Sequence, residues 1–261
     1  MPIIDFHNHV MPGVDDGART PEDSTAALSA MASAGVATVI ATPHLNASLA
    51  AHPDQLEQRL GELDEGWAAL TKVAADGSLR VLRGAEVALD TPTPVLSDER
   101  FRLAGTDFVL VEFAYMTVPP NAVAALRRIR DAGWIPVVAH PERYGAIRES
   151  VDQALEWKRA GALLQMNGGS LLGRYGPEVK RAARQLLARG WADYLCSDYH
   201  TRTGPWITEY RQWLVDHGAE EQAGMLMSLN PERMLQGELP LAVAPLLDRR
   251  GLWDRVRSVF R

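Results

Sequence analysis

His7 and His9 stand either side of Asn8. In an extended chain, residues two apart leave the same face, so both imidazoles can grip one cation. Ser197-Asp198-Tyr199-His200 repeats the spacing with an acid and an imidazole. A lone HxH is a weak signal, because ordinary core or surface histidines also produce it. Its company is what strengthens it. Of the seven histidines, five (His7, His9, His44, His140 and His200) fall at the ends of apolar runs, where Glu86, Glu112, Asn167 and Asp198 also fall. A carboxylate at such a place is costly to bury unless it is paired or metal-bound, and its two oxygens allow it to bridge two ions. Imidazole and carboxylate without thiolate suit Mn, Fe or Zn. His52 and His217 lie in polar stretches of helical character and are assigned no role. Asp5 shares a strand face with His7 and His9, where it either holds an imidazole in one tautomer or makes a cap or loop contact. Pro12-Gly13-Val14-Asp15-Asp16-Gly17 is a turn by composition, and its acids can serve simply to bend and cap the chain.

Positioning these groups requires elements that bring distant residues together. Short runs rich in Val, Ile, Leu and Ala recur at residues 3–6, 36–41, 79–82, 108–111, 135–139, 162–166 and 192–196, with helical segments between them. That alternation predicts βαβ units and a parallel sheet. Thr20-Pro21-Glu22-Asp23 supplies a cap, a first-turn proline and early acids for a helix that stops at Gly35. Residues 119–130 and 177–189 read the same way. In a parallel barrel the C-terminal strand ends converge on one face, so the polar residues that follow each run would meet.

The chain has 261 residues, normal for one α/β barrel domain, and no repeat, low-complexity stretch or linker marks a boundary. With 46% hydrophobic and 23% charged residues it can bury a sizeable core. The net charge of −6 argues against a nucleic-acid-binding surface, so an anionic substrate must be attracted locally. The single Cys196 rules out an intrachain disulfide and any multi-cysteine metal site. No segment resembles a signal peptide or a membrane span, which gives the expectation of a cytoplasmic protein. A helical tail is expected over about residues 239–261, with Leu252, Trp253, Val256, Val259 and Phe260 on one face and Arg249, Arg250, Arg255, Arg257 and Arg261 around it. Docking of that face on the barrel or on another subunit is favoured over an anionic membrane, which one short helix binds weakly.

The pieces DFHNHVMPGVDDGA, ATPHL, GAEV, AHPER and CSDYH occur in this order between residues 5 and 200. Together they resemble the PHP (polymerase and histidinol phosphatase) superfamily, and within it the bacterial CpsB/YwqE-type tyrosine phosphatases of capsule and exopolysaccharide loci. The DDGA after HxH, and a Glu where other branches carry a histidine on the fourth strand, favour that branch. The resemblance implies a distorted (β/α)7 TIM-like barrel holding three divalent ions, Mn before Fe or Zn. It assigns His7, His9, Glu86 and Asp198 to a first metal, Glu86, Glu112 and His140 to a second, and Asp16, His44 and His200 to a third. Four carboxylates against three divalent ions leave a charge of about +2, which suits a phosphate dianion. The family's chemistry implies in-line attack by a metal-activated hydroxide on phosphotyrosine, whose phenolate leaving group has a pKa near ~10. The implied protein substrate is a tyrosine kinase of polysaccharide synthesis. A histidinol-phosphate type of small-molecule phosphatase and a phosphodiesterase are the enzyme alternatives, and a non-enzymatic metal-binding scaffold of polysaccharide export is the other class.

Arg143, three residues after His140, is the candidate phosphate clamp, because a guanidinium matches phosphate geometry; the competing reading is a salt bridge at the barrel rim. The family's second arginine falls near Pro205 here, leaving Arg202 or Arg211 as substitutes. Cys196 to Arg202 also formally matches the Cx5R pattern of cysteine-dependent phosphatases. That reading fails on charge. Asp198 inside the loop would raise the thiol pKa and repel phosphate, the expected preceding histidine is Leu195, and the loop holds no glycine.

Overall fold

The apolar runs fold as strands in the computed structural model, which describes residues 1–75, 77, 79–96, 98–201 and 204–246. They are β1 (Ile3–Asp5), β2 (Val36–Ala41), β3 (His44–Asn46), β4 (Arg80–Arg83), β5 (Glu86–Ala88), β6 (Phe108–Glu112), β7 (Ile135–Ala139), β8 (Leu163–Asn167) and β9 (Tyr194–Cys196). The helices are α1 (Pro21–Ser33), α2 (Pro53–Ala74), α3 (Ala122–Asp131), α4 (Gly145–Glu149), α5 (Gln153–Arg159), α6 (Gly168–Leu172), α7 (Pro177–Ala188), α8 (Ile207–Asp216), α9 (Glu220–Gly224) and α10 (Asn230–Leu235).

Every strand pairing among the described residues is parallel. The strands run β1-β2-β4 in one sheet and β3-β5-β6-β7-β8-β9 in the other. The two sheets are halves of one barrel. Pro43 has no N–H to donate and interrupts the line from β2 to β3, while Gly84 and Ala85 separate β4 from β5. Backbone bonds from Gly84 to Ala41 and from Glu86 to Pro43 carry the pairing across the breaks. The ends of β1 and β9 then close the ring: Asn8 bridges Tyr199, His9 N donates to Tyr199 O at 2.9 Å, and Asp198 N donates to His7 O at 2.8 Å. Counting β2 with β3 and β4 with β5 gives seven strand positions among the described residues, the distorted (β/α)7 barrel that was expected.

Side-chain alternation divides the core. Phe108 and Leu110 of β6, Val137 and Ala139 of β7, and Tyr194 and Cys196 of β9 form the inner cluster with Phe6, where Phe6 meets the Tyr194 ring edge-on at 5.0 Å. Val109, Val111, Val138 and Leu195 point the other way, into the larger cluster beneath the helices. This inner cluster is the floor under the strand ends. The period carries upward from it: Glu112 follows Leu110 by two residues, and Asp198 follows Cys196 by two.

The start of α1 behaves as read from sequence. Thr20 accepts from Asp23 N, and the Asp23 side chain accepts from Thr20 N, a reciprocal cap. The described start of the expected tail, residues 239–246, is not helical, since Pro240 and Pro245 interrupt it; Asn230 bonds Leu241, and Leu246 N donates to Leu187 O. Residues 247–261, with the apolar and basic faces of the expected tail helix, lie outside the described residues, as does Arg202.

Candidate metal centre

The strand ends bring His7, His9, Asp16, His44, Glu86, Glu112, His140, Asp198 and His200 together. Four overlapping groups have ligand atoms mutually within 4.8 Å: His9, Asp16, His44 and His200; His7, His9 and Asp198; His7, Glu86 and His140; and His44, Glu86 and Glu112. Glu86 sits at the middle. One oxygen faces His7 Nε2 at 3.2 Å and His140 Nε2 at 3.1 Å, and the other faces His9 Nε2 at 3.4 Å and His44 Nδ1 at 3.2 Å.

A gradient of depth runs through the cluster. The side chains of His7, His9, Glu86, His140 and Asp198 are at most 3% exposed, whereas His44 (35%), His200 (26%) and Asp16 (55%) form the mouth. Beside this mouth a cleft of about 440 Å³ is lined by Val14, Asp15, Asp16, His44 and Arg59. Arg59, reaching over from α2, donates to the carbonyls of Val14 and His44 and so fixes two chain segments that carry the outer group.

Local backbone serves the site at some cost. His140 (φ 35) and Asp198 (φ 51) adopt left-handed conformations, which in such residues cost about 1–3 kcal/mol each and tend to cluster at active sites. Gly17 packs where a Cβ would lie 2.0 Å from His9 O, so only glycine lets the Pro12–Gly17 turn close over the second histidine.

Two imidazoles are oriented by partners on their outward nitrogens. His7 Nδ1 lies 2.6 Å from Gln165 Oε1, and the Gln165 amide is itself oriented because its Nε2 donates to Met166 O at 2.8 Å. His9 Nδ1 lies 2.8 Å from Asp15 Oδ2, whose other oxygen accepts from Gly17 N. With Nδ1 of each ring engaged by these contacts, Nε2 of each ring is the nitrogen turned to the centre. Of the atoms that face the centre, His7 Nε2, His9 Nε2 and Glu86 Oε2 are buried without a hydrogen-bond partner. Buried polar atoms of this kind need a partner. A mixed set of nitrogen and oxygen atoms converging in groups within 4.8 Å of one another therefore fits divalent cations.

Charge follows the packing. Burial by itself would lower the pKa of His7, but Glu86 and Asp198 raise it to about 9. Burial likewise opposes charge on His9 and on His44, yet neighbouring carboxylates, led by Asp15 and by Glu86 respectively, raise both. His140 goes the other way, down to about 4 through burial and the Arg143 guanidinium. Glu86 and Asp198 are held low by the histidines against the opposing effect of burial. Glu112, buried and beside Glu86, is pushed up to about 7.

Asp198 uses its oxygens differently. Oδ1 faces His7 and His9 at 3.3 and 3.4 Å, while Oδ2 accepts from Arg143 Nη1 at 2.7 Å and Asn167 Nδ2 at 3.0 Å. Arg143 thus reaches the centre itself and forms its ion pair there. Arg211 lies exposed on α8. Asp5 touches no imidazole: Oδ1 accepts from His7 N and Oδ2 from Ser197 N, so of its two readings the chain contact is the one realised. The imidazole partners that sequence reasoning missed are Asp15 and Gln165. Gln165 left one signal, a polar residue two before the end of an apolar strand. Cys196 is fully buried in β9 with its thiol pKa pushed well up by burial, which leaves no thiolate for the cysteine mechanism.

The chain is similar to known proteins along most of its length. The family described as "Capsular polysaccharide synthesis, CpsB/CapC" matches residues 3–236. It is 28% identical over 247 residues to the tyrosine-protein phosphatase YwqE of Bacillus subtilis (strain 168), covering 90% of this chain and 92% of that one. With the tyrosine-protein phosphatase CpsB of Streptococcus pneumoniae it shares 26% over 246 residues, covering 91% and 100%. A crystal structure from work on these two, described as unique metal-dependent tyrosine phosphatases, superposes with a TM-score of 0.73 at 29% identity, covering 94% of this chain and 100% of that one. The phosphotriesterase of Mycobacterium tuberculosis shares the fold, with a TM-score of 0.52 at 13% identity, covering 92% and 95%.

Proposed function

This chain belongs to the CpsB/CapC family of capsular polysaccharide synthesis, and from that premise we propose that it is a metal-dependent protein-tyrosine phosphatase, a phosphoric monoester hydrolase. The observation that carries the reading is the convergence of buried, partnerless imidazole and carboxylate atoms at the barrel mouth. Three divalent ions, Mn first among them, are proposed to be held by His7, His9, Glu86 and Asp198, by Glu86, Glu112 and His140, and by Asp16, His44 and His200, with Glu86 as the bridge. When bound, such ions polarise a phosphoryl group and make water nucleophilic at neutral pH.

The rest of the work falls to the side chains. Gln165 and Asp15 keep the His7 and His9 protons on Nδ1, so Nε2 remains a donor to a cation. Arg143 carries a charge next to Asp198 and is proposed to bind a phosphoryl oxygen with the N–H groups not used by that carboxylate. The proposed physiological substrate is a phosphorylated tyrosine kinase of polysaccharide synthesis. No helix among the described residues is long and apolar enough to cross a membrane. The deciding experiment compares turnover of phosphotyrosine, phosphoserine and histidinol phosphate after reconstitution with Mn, Fe or Zn. Preference for phosphotyrosine supports the proposal; preference for histidinol phosphate, or no turnover with any metal, contradicts it.

A further inference from the structure

Tyr175 lies between α6 and α7 and has no part in the scheme above. Its hydroxyl accepts from Asn167 Nδ2 at 3.2 Å, and the same amide donates to Asp198 Oδ2. Over its ring, 4.7 Å from the centroid, stands the guanidinium of Arg143, which also donates to Asp198 Oδ2. The ring is therefore held at its hydroxyl edge and on a face by two groups that both grip Asp198. Asn167 is itself fixed, since its Oδ1 accepts from Gly169 N and its backbone N donates to the buried Glu142.

Despite these restraints Tyr175 is 41% exposed, whereas Tyr144, Tyr194 and Tyr210 are at most 1% exposed. A rigid aromatic surface left open beside the centre loses little conformational freedom when another ring packs on it. We propose that Tyr175 is a specificity-determining residue, its ring forming the wall against which the aryl group of a phosphotyrosyl substrate packs, so that the site favours aryl over alkyl phosphates. This rests on the phosphotyrosine reading and deepens it. The anchors place the wall within two hydrogen bonds of Asp198, through Asn167. A phosphoryl group at the centre carries its phenyl ring outward past that point, whereas a short alkyl chain offers the wall no flat face to meet.

The test measures inhibition of the Mn-loaded protein by phenylphosphonate and by methylphosphonate, in the parent, Tyr175→Ala and Tyr175→Phe, against hydrolysis of a chromogenic aryl phosphate. Neither phosphonate is cleaved, so the ratio of their inhibition constants reads ring binding apart from leaving-group chemistry. In Tyr175→Ala the preference for phenylphosphonate falls about two- to tenfold, the scale of one aromatic contact, and the KM for phosphotyrosine rises with it. In Tyr175→Phe the preference persists, because the ring remains. An unchanged ratio in Tyr175→Ala overturns the proposal. So does an equal fall in Tyr175→Phe, which would assign the effect to the hydroxyl and Asn167. A parent protein that turns over neither phosphotyrosine nor the chromogenic ester sinks the phosphotyrosine reading, and the role of Tyr175 goes with it.

Discussion

Gln165 and Asp15 each hold an imidazole by the nitrogen that faces away from the centre, and this makes them as accessible to mutation as the proposed ligands. Gln165→Leu removes the acceptor for His7 Nδ1 and should lower metal affinity about 10–100-fold while the ring itself stays in place. Metal titration followed by calorimetry reads this directly, and unchanged affinity would show that the tautomer needs no partner. Glu86 and Asp5 separate chemistry from scaffolding. Glu86→Gln removes charge from the carboxylate that faces four histidines, so activity should collapse, with metal content falling as well. Asp5→Asn instead turns an amide N–H toward Ser197 N or His7 N, and should cost about 1–3 kcal/mol of stability, the scale of one unmade buried hydrogen bond. Thermal melts and metal analysis of both variants, run together, distinguish the two roles. Equal melting shifts and equal metal loss in the two would contradict the division.

At the scale of elements, the site depends on strand ends that stop being strands. β1 ends at Asp5, yet His7-Asn8-His9 stays extended because Thr42 N, His9 N and Asp198 N lace it between its neighbours on both sides. The Pro12–Gly17 turn then folds back over His9, bringing Asp15 to its Nδ1 and Asp16 to His44 and His200. Gly17→Ala tests how far the turn is needed. Its new Cβ meets backbone rather than a flexible side chain, so the turn must move and take both acids with it. The expected result is loss of the outermost metal equivalent and lowered activity, read by elemental analysis of the purified variant. Full occupancy and parental turnover would mean that the turn tolerates the shift.

Across the whole molecule, the deep carboxylates and imidazoles are packed far from water around a common point, an arrangement that cations would stabilise in the folded state and not in the unfolded chain. Chelation should therefore abolish turnover and also lower the melting temperature, and Mn should restore both. Mass action sets the scale, about 2.7 kcal/mol for one site at a free metal concentration of ~100 Kd. A chelated protein that is fully active, or that melts where the Mn-loaded protein does, would remove the metals from the account. The barrel explains why one centre can influence global stability: it joins ends of nearly every strand, including the β1 and β9 ends that close the ring.

The sequence by itself determined the strands and the candidate ligands, because both are local signals. An apolar run announces a buried parallel strand, and a histidine or acid at its end announces a group whose burial needs a partner. His7, His9, His44, Glu86, Glu112, His140, Asp198 and His200 were legible that way, and Asp16 through its motif. The tertiary structure decided everything that depends on which distant residues meet. Gln165 reaches His7 across 158 positions of chain, and Ser197 N reaches Asp5 across 192. No spacing rule encodes such pairs; they follow from strand order, in which β9 lies between β8 and the end of β1, and from the register of those pairings. The division of β2 from β3 and β4 from β5, the contact of Arg143 with the Tyr175 ring, and the non-helical course of residues 239–246 belong to the same class. Each is settled by packing and by backbone hydrogen bonds between elements, forces that act only once the barrel has closed.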